Sequence, residues 1–393
     1  MEPFDLATLK ATWSYPTTIL FGAGSLEKLP RACTSAGIAR PLVVTDPALA
    51  ELPPVVQALS HLREAGLEAG LFSDLRSNPT VDNVEAGLAV LRRGGFDGVV
   101  AIGGGSALDC GKAIAFMAGQ SRPIWDFEDV GDYWKRADEA GILPVVAVPT
   151  TAGTGSEVGR AAVITDPANH AKKIIFHPLM LPKTAILDPR VTIGLPPHLT
   201  AATGMDALAH SLEAYCAPTF HPMSEGIAVE GMRLVKLALP RAFTDGSDLP
   251  ARGMMLAASA MGAVAFQKGL GAIHALSHPI GALYDTHHGL TNAVLMPYVL
   301  AFNYKAIDGK IARLAGWLEL PAADFGAFLD WVLKLRQQLD IPHTLRELGV
   351  APERFPTIAE MAVRDPTAPT NPVPLTAETA EGILREAYEG TGI

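Results

Sequence analysis

Val99-Val100-Ala101-Ile102-Gly103-Gly104-Gly105-Ser106 runs straight into Ala107-Leu108-Asp109. A short apolar, β-branched run that meets glycines and then a helical pattern reads as a buried parallel strand turning tightly into a helix. Glycines at such a turn let the backbone approach a diphosphate closely, and the free amides that open the helix favour an anion. Ser106 and Asp109 also have the spacing of a helix-capping pair, so capping alone accounts for both.

Working outward, the same rhythm repeats on both sides. Pro41 to Asp46, Ala69 to Phe72 and Leu143 to Val148 read as strands. Val55 to Ala65, Val81 to Arg93 and Ala107 to Met117 read as helices. Strand–helix alternation of this kind predicts a parallel sheet covered on both faces. A second loop rich in glycine and hydroxyls, Pro149-Thr150-Thr151-Ala152-Gly153-Thr154-Gly155-Ser156-Glu157, follows the next strand. Two such loops at the carboxyl ends of parallel strands are where open α/β sheets bind nucleotides. Asp46 closes the first strand; there it either accepts from the adenosine ribose, favouring NAD over NADP, or is a turn residue before Pro47. Phe21-Gly22-Ala23-Gly24-Ser25 lacks the full fingerprint and is read mainly as structural.

Beyond Leu195-Pro196-Pro197 the character changes. Ala201 to Ala217, Ser224 to Ala238, Leu249 to Phe266 and Gly271 to Leu283 have helical period, and no convincing strand accompanies them. The expectation is an α/β N-terminal dinucleotide-binding domain with a parallel sheet, residues 1–190, and an all-α C-terminal metal- and substrate-binding domain, residues 191–393.

Composition narrows the class. With 393 residues, 49% of them hydrophobic, the chain can bury two cores without disulfides or structural metals. A formal charge of -10 makes phosphate backbones and anionic lipid poor partners. Cys33, Cys110 and Cys216 are odd in number and scattered, as expected in a reducing compartment. Met1-Glu2-Pro3-Phe4-Asp5 has no signal-peptide character. The apolar run from Gly253 to Phe266 is too short to cross a bilayer and reads as a buried helix. The expected protein is soluble and cytoplasmic.

The helical half carries a second constellation. Asp206 and His210 stand four apart, as do His274 and His278, so each pair shares a helix face. His287 and His288 follow. A lone histidine among apolar residues is usually a satisfied core or capping side chain, but five with a carboxylate are costly to bury without a shared purpose. Three imidazoles and one carboxylate suit Fe(II), zinc or cobalt and suit calcium or magnesium poorly. Spacing alone leaves open which four ligate.

At this point the chain resembles the iron-containing (group III) alcohol dehydrogenases, from Ile19-Leu20-Phe21-Gly22-Ala23-Gly24-Ser25 through Thr370-Asn371-Pro372. The motifs that carry the resemblance are Gly103 to Ser106 with Asp109 and Lys112, Pro149 to Glu157, Gly204 to His210, and His274 to His288. The resemblance implies that Asp206, His210, His274 and His288 ligate the metal, and that His278 lies beside substrate and nicotinamide. It assigns Asp46 to the adenosine ribose, Gly104, Gly105, Ser106 and Asp109 to the diphosphate side, and Thr150, Thr151 and Lys172 to further cofactor contacts. Lys173 is adjacent to Lys172 and competes with it for that assignment. Two departures stand out: His287 precedes the expected ligand His288, and the segment Asp365 to Pro372 lacks a cysteine that many members carry.

The expected reaction is hydride transfer between NAD(H) and a primary alcohol or small diol bound to Fe(II), with zinc an alternative ion. His278 would relay the proton, since imidazole titrates near working pH, and Phe266 and Leu270 would wall the substrate pocket. A homodimer is typical of relatives. Rival readings on the same architecture are a dehydroquinate-synthase-like lyase, which would recycle NAD internally and give no net NADH, and a hydroxyacid–oxoacid transhydrogenase, which would retain its cofactor tightly. A non-catalytic nucleotide-binding scaffold explains the glycine loops but not the histidines.

Overall fold

A computed structural model describes Tyr15, residues 17–169 and residues 171–393; the segment Met1 to Asp5 lies outside them. The chain divides into two compact units, Pro16–Leu195 and Pro196–Ile393.

In the first unit the elements are β1 (Thr18–Phe21), α1 (Leu29–Ser35), β2 (Pro41–Val44), α2 (Pro53–Glu64), β3 (Gly70–Phe72), α3 (Val81–Gly94), β4 (Gly98–Gly103), α4 (Gly105–Met117), β5 (Val145–Pro149), β6 (Ala161–Asp166), β7 (Ala171–Phe176) and β8 (Thr184–Leu187). Six strands form a wholly parallel sheet in the order β1-β8-β5-β4-β2-β3. Alternate side chains of the central strands enter two cores. Leu42, Val44, Val99, Ala101, Val145 and Ala147 pack in one, with residues of α3 and α4. Val43, Val100, Ile102, Val146 and Val148 pack in the other, with residues of α1 and α2. That division explains why these strands read as unbroken apolar runs: both faces are buried.

Four strands beyond the expected set, β1, β6, β7 and β8, make up the sheet edge and a hairpin. The edge strand β1 is mostly exposed, so it carries no hydrophobic alternation to read. It pairs with β8, a four-residue buried run. The antiparallel hairpin β6–β7 forms a separate two-stranded sheet.

The second unit is helical, as its sequence predicts: α5 (Pro197–Cys216), α6 (Pro222–Thr244), α7 (Leu249–Ala265), α8 (Ala272–Tyr284), α9 (His288–Trp317), α10 (Phe325–Gln338), α11 (Phe355–Val363) and α12 (Ala377–Glu389). One expectation needs correction. The apolar segment of α7 belongs to a 20-residue helical stretch, Leu249–Lys268, long and apolar enough by composition to cross a membrane. It is 61% buried inside the protein and packs against α5 and α6, which accounts for its apolar character as a core helix.

Candidate functional site

Helices α5, α8 and α9 bring the predicted metal ligands together in the second unit. Around Asp206 Oδ1 stand His288 Nε2 at 3.7 Å, His274 Nε2 at 3.8 Å and His210 Nε2 at 4.0 Å. Donors about 2.1 Å from a common tetrahedral centre lie roughly 3.4 Å apart, so this spacing is close to that of a metal site. Asp206, His210 and His274 are buried, whereas the side chains of His278 and His288 are 21% and 27% exposed. The cluster is therefore reached from the His278–His288 side.

The chemistry of the donor set fits a cation. Ligand atoms of Asp206, His210 and His274 all lie within 4.8 Å of one another, His288 joins them beside Asp206 Oδ1, and Asn292 Nδ2 supplies the N–H groups among them. It lies 2.8 Å from Asp206 Oδ1, 3.1 Å from His288 Nε2 and 3.2 Å from His274 Nε2. Its two hydrogens cannot satisfy all three acceptors at once. His274 Nδ1 lies 2.6 Å from Glu213 Oε2, while Glu213 Oε1 accepts the Ile273 amide at 2.7 Å. With Nδ1–H donated to the carboxylate, Nε2 of His274 keeps its lone pair for a ligand. Burial, reinforced by neighbouring His210, holds His274 well below the usual imidazole range, so it is present as the neutral donor a metal requires.

Gly289 sets how closely α9 meets α5. A Cβ there would fall 2.3 Å from the carbonyl oxygen of Ala202 and 3.0 Å from Asp206 Cβ, so only glycine lets His288 sit beside Asp206. His287 is exposed and acts as the N-cap of α9, its Nδ1 accepting the Leu290 amide. His278 is stacked on His288 with ring centroids 5.3 Å apart, and its Nδ1 lies 2.8 Å from Asp365 Oδ2. Phe266, one of the two expected pocket walls, packs 5.2 Å from the His210 ring.

Glu213, Asn292 and Asp365 were not predicted as site residues. Two had a readable signal: Glu213 is three residues beyond His210 on α5, and Asn292 is four beyond His288 on α9, so each shares its ligand's helix face. Asp365 had none, being 87 residues from His278.

In the first unit, strand order makes the predicted cofactor residues neighbours. Strands β2, β4 and β5 are adjacent, so Asp46, the glycines and Thr150–Thr151 gather at one carboxyl edge. Gly103 has φ 149°, and a Cβ on it would lie 2.7 Å from Asp46 Oδ2. Burial pushes Asp46 up to about 6 despite a hydrogen bond from the Gly104 amide. The Thr150 amide donates to Gly103 O at 2.9 Å, and the Thr151 side chain lies 3.5 Å from where a Gly104 Cβ would be. On Gly105 a Cβ would approach Thr154 Cγ2 to 2.7 Å, so the glycines also admit the second loop.

The capping pair is a correction. The N-cap of α4 is Gly104, which has no side-chain cap, so Ser106 and Asp109 both lie inside the helix. Ser106 Oγ donates to Ser77 O. Asp109 accepts from Ser156 Oγ and from the Val163 amide at 2.9 Å, and pairs with buried Lys112 at 3.1 Å. Asp109 thus binds α4 to the second loop and to β6. Lys172 lies on the hairpin opposite Thr165. Its neighbour Lys173 pairs with Asp166 at 3.2 Å and Glu128 at 3.5 Å.

Comparison with known proteins agrees with both halves. The iron-containing alcohol dehydrogenase profile matches residues 16–189, and the C-terminal profile of the Fe-containing alcohol dehydrogenase family matches residues 200–388. The chain is 39% identical to a 4-hydroxybutyrate dehydrogenase of Cupriavidus necator, covering 95% of this chain and 98% of that protein. It is 37% identical to a 1,3-propanediol dehydrogenase of Klebsiella pneumoniae, covering 95% and 97%. The solved structure of an alcohol dehydrogenase from Oenococcus oeni superposes with a TM-score of 0.91 at 30% identity, covering 96% of this chain and all of that one. By sequence and by fold, this chain belongs to the iron-containing alcohol dehydrogenase family and is an NAD-dependent alcohol oxidoreductase.

Proposed function

We propose that the chain interconverts a primary alcohol or small diol and its aldehyde, using NAD(H) and one divalent ion, Fe(II) or in its place zinc. The observation that carries this reading is the convergence of one carboxylate and three imidazoles within 4.0 Å of Asp206 Oδ1.

Asp206, His210, His274 and His288 would hold the ion, and Glu213 would orient His274. The ion supplies Lewis acidity that lowers an alcohol's hydroxyl pKa, and NAD supplies the hydride acceptor. His278, on the accessible side of the cluster, takes the proton at a ring nitrogen and passes it toward solvent. Asp46 would hold the adenosine ribose. Gly104, Gly105, Ser106, Asp109, Thr150, Thr151 and Lys172 would build the rest of the cofactor site, with Asp109 acting by bracing the loops. The two named relatives act, by their names, on short terminal hydroxyl compounds, which makes 1,3-propanediol and 4-hydroxybutyrate the first substrates to offer beside simple primary alcohols.

The test is NADH formation by metal-stripped protein reloaded anaerobically with Fe(II) or zinc and offered that panel. Turnover only with metal is the expected result. Absence of net NADH with both ions, in folded protein that binds NAD, would refute the reading in favour of a transhydrogenase or lyase.

A further inference from the structure

Helix α8, which carries both His274 and His278, is gripped by one short segment near the C-terminus. Thr367 Oγ1 lies 3.3 Å from Gly271 O, and Thr370 Oγ1 donates to Leu270 O at 2.7 Å. Asn371 Oδ1 accepts the Ala272 amide at 3.0 Å. Asn371 is in turn paired with Asn303 of α9 through two amide hydrogen bonds of 2.8 and 3.0 Å. These three residues grip only backbone at the start of α8. The fourth contact is different in kind, because Asp365 Oδ2 meets the ring of His278.

Asp365 has its own orientation fixed. Its Oδ1 accepts the Thr367 amide at 2.9 Å and the Thr367 hydroxyl at 2.6 Å, which leaves Oδ2 for His278. Burial opposes its charge, yet hydrogen bonds from His278 and Thr367 outweigh burial and hold the carboxyl below the usual range. An ionised carboxylate has no proton to give. At that contact the imidazole is the donor, so Nδ1 carries hydrogen, and in the neutral ring Nε2 is then the acceptor.

We propose that Asp365 is a positioning residue for the reaction: it fixes the ring orientation and the Nδ1–H tautomer of His278, so that Nε2 is the atom that receives the proton. This rests on the reading of His278 as the proton-accepting group. Asp365 would act through His278, the ring its Oδ2 meets.

Asp365→Asn tests it with almost no change in shape. The Thr367 amide still needs an acceptor, so the new carbonyl oxygen stays there and the NH2 group faces His278 Nδ1. That reverses the contact and drives the ring proton onto Nε2. Removing a general base costs about 10²–10⁴-fold, so the loss in Asp365→Asn should approach that of His278→Ala without exceeding it. The expected pattern is a lower kcat with KM, NAD affinity and metal content near wild type, and partial recovery in Asp365→Glu. In the double variant, Asp365→Asn should add nothing to His278→Ala.

Wild-type kcat in Asp365→Asn, or an equal further loss on the His278→Ala background, would overturn the proposal while leaving the role of His278 intact. Full activity in His278→Ala would overturn both. Nitrogen NMR of histidine-labelled, zinc-loaded wild-type protein gives a check that needs no variant: a His278 ring protonated on Nε2 instead of Nδ1 would overturn the tautomer assignment.

Discussion

Replacing Glu213 removes the acceptor of two buried donors, His274 Nδ1–H and the Ile273 amide, which lie 2.6 and 2.7 Å from its oxygens. In Glu213→Ala both lose their partner at a buried position. Each orphaned donor costs about 1–3 kcal/mol. That cost falls on the start of α8, and a lower melting temperature should report it. The second effect falls on the metal. Freed from Glu213, His274 can turn or carry its proton on Nε2, the atom facing Asp206. Loss of a partner of this kind weakens metal binding about 10–100-fold, equivalent to roughly 1.4–2.8 kcal/mol. Glu213→Gln keeps one acceptor for two donors and should fall near the lower end of that range. The measurement is competition for zinc or Fe(II) against a chelator of known affinity, with circular dichroism confirming the fold. If both variants are folded and bind metal as tightly as wild type, the argument from His274 is wrong. A lower melting temperature with unchanged metal affinity would reduce Glu213 to a brace for α8.

Three other perturbations probe the remaining structure. Gly289→Ala places a methyl against the Ala202 carbonyl, so α9 must move off α5; overpacking costs about 1–3 kcal/mol, and metal content should fall with stability. Wild-type metal binding there would mean that the contact of α9 with α5 does not position His288. Glu157 is buried, has an unpartnered Oε1, and is pushed by burial up to about 7 from 4.5. Because its folded value lies above its unfolded one, its stabilising contribution is complete below about pH 4.5 and is lost as pH rises through 7. Thermal melts should therefore show Glu157→Gln gaining on wild type across that window, and a pH-independent difference would contradict the burial argument. Asp46→Asn removes a carboxylate that would repel a 2′-phosphate, so kcat/KM with NADP should rise relative to NAD; an unchanged ratio would exclude Asp46 from ribose recognition.

Much of this protein could be read along the chain. The runs Val99 to Ile102 and Val145 to Val148 are apolar on both faces, which already implies a buried parallel sheet, and the glycines after Val99 to Ile102 mark where it meets a ligand. Asp206–His210 on one helix face and His274 on another follow from helical period alone. The capping pair misled because Ser106 and Asp109 fit a local motif, whereas the helix starts at Gly105 and both side chains serve distant partners. Strand β1 stayed hidden because an exposed edge has no apolar alternation to show.

Local sequence fixes which residues share a face, because backbone geometry sets a period of 3.6 or 2 residues. It does not fix which faces meet. That His288 of α9 joins Asp206 of α5, that Glu213 supports a histidine 61 residues away, and that Asp365 reaches His278 are outcomes of helix packing. A glycine at 289 and the hydrogen bonds from Thr367 to Asn371 set those distances. The donor types were determined by the sequence. Their convergence, and the tautomers that make them donors, were decided only by the tertiary structure, since a hydrogen bond or a metal bond depends on tenths of an ångström that no periodicity encodes.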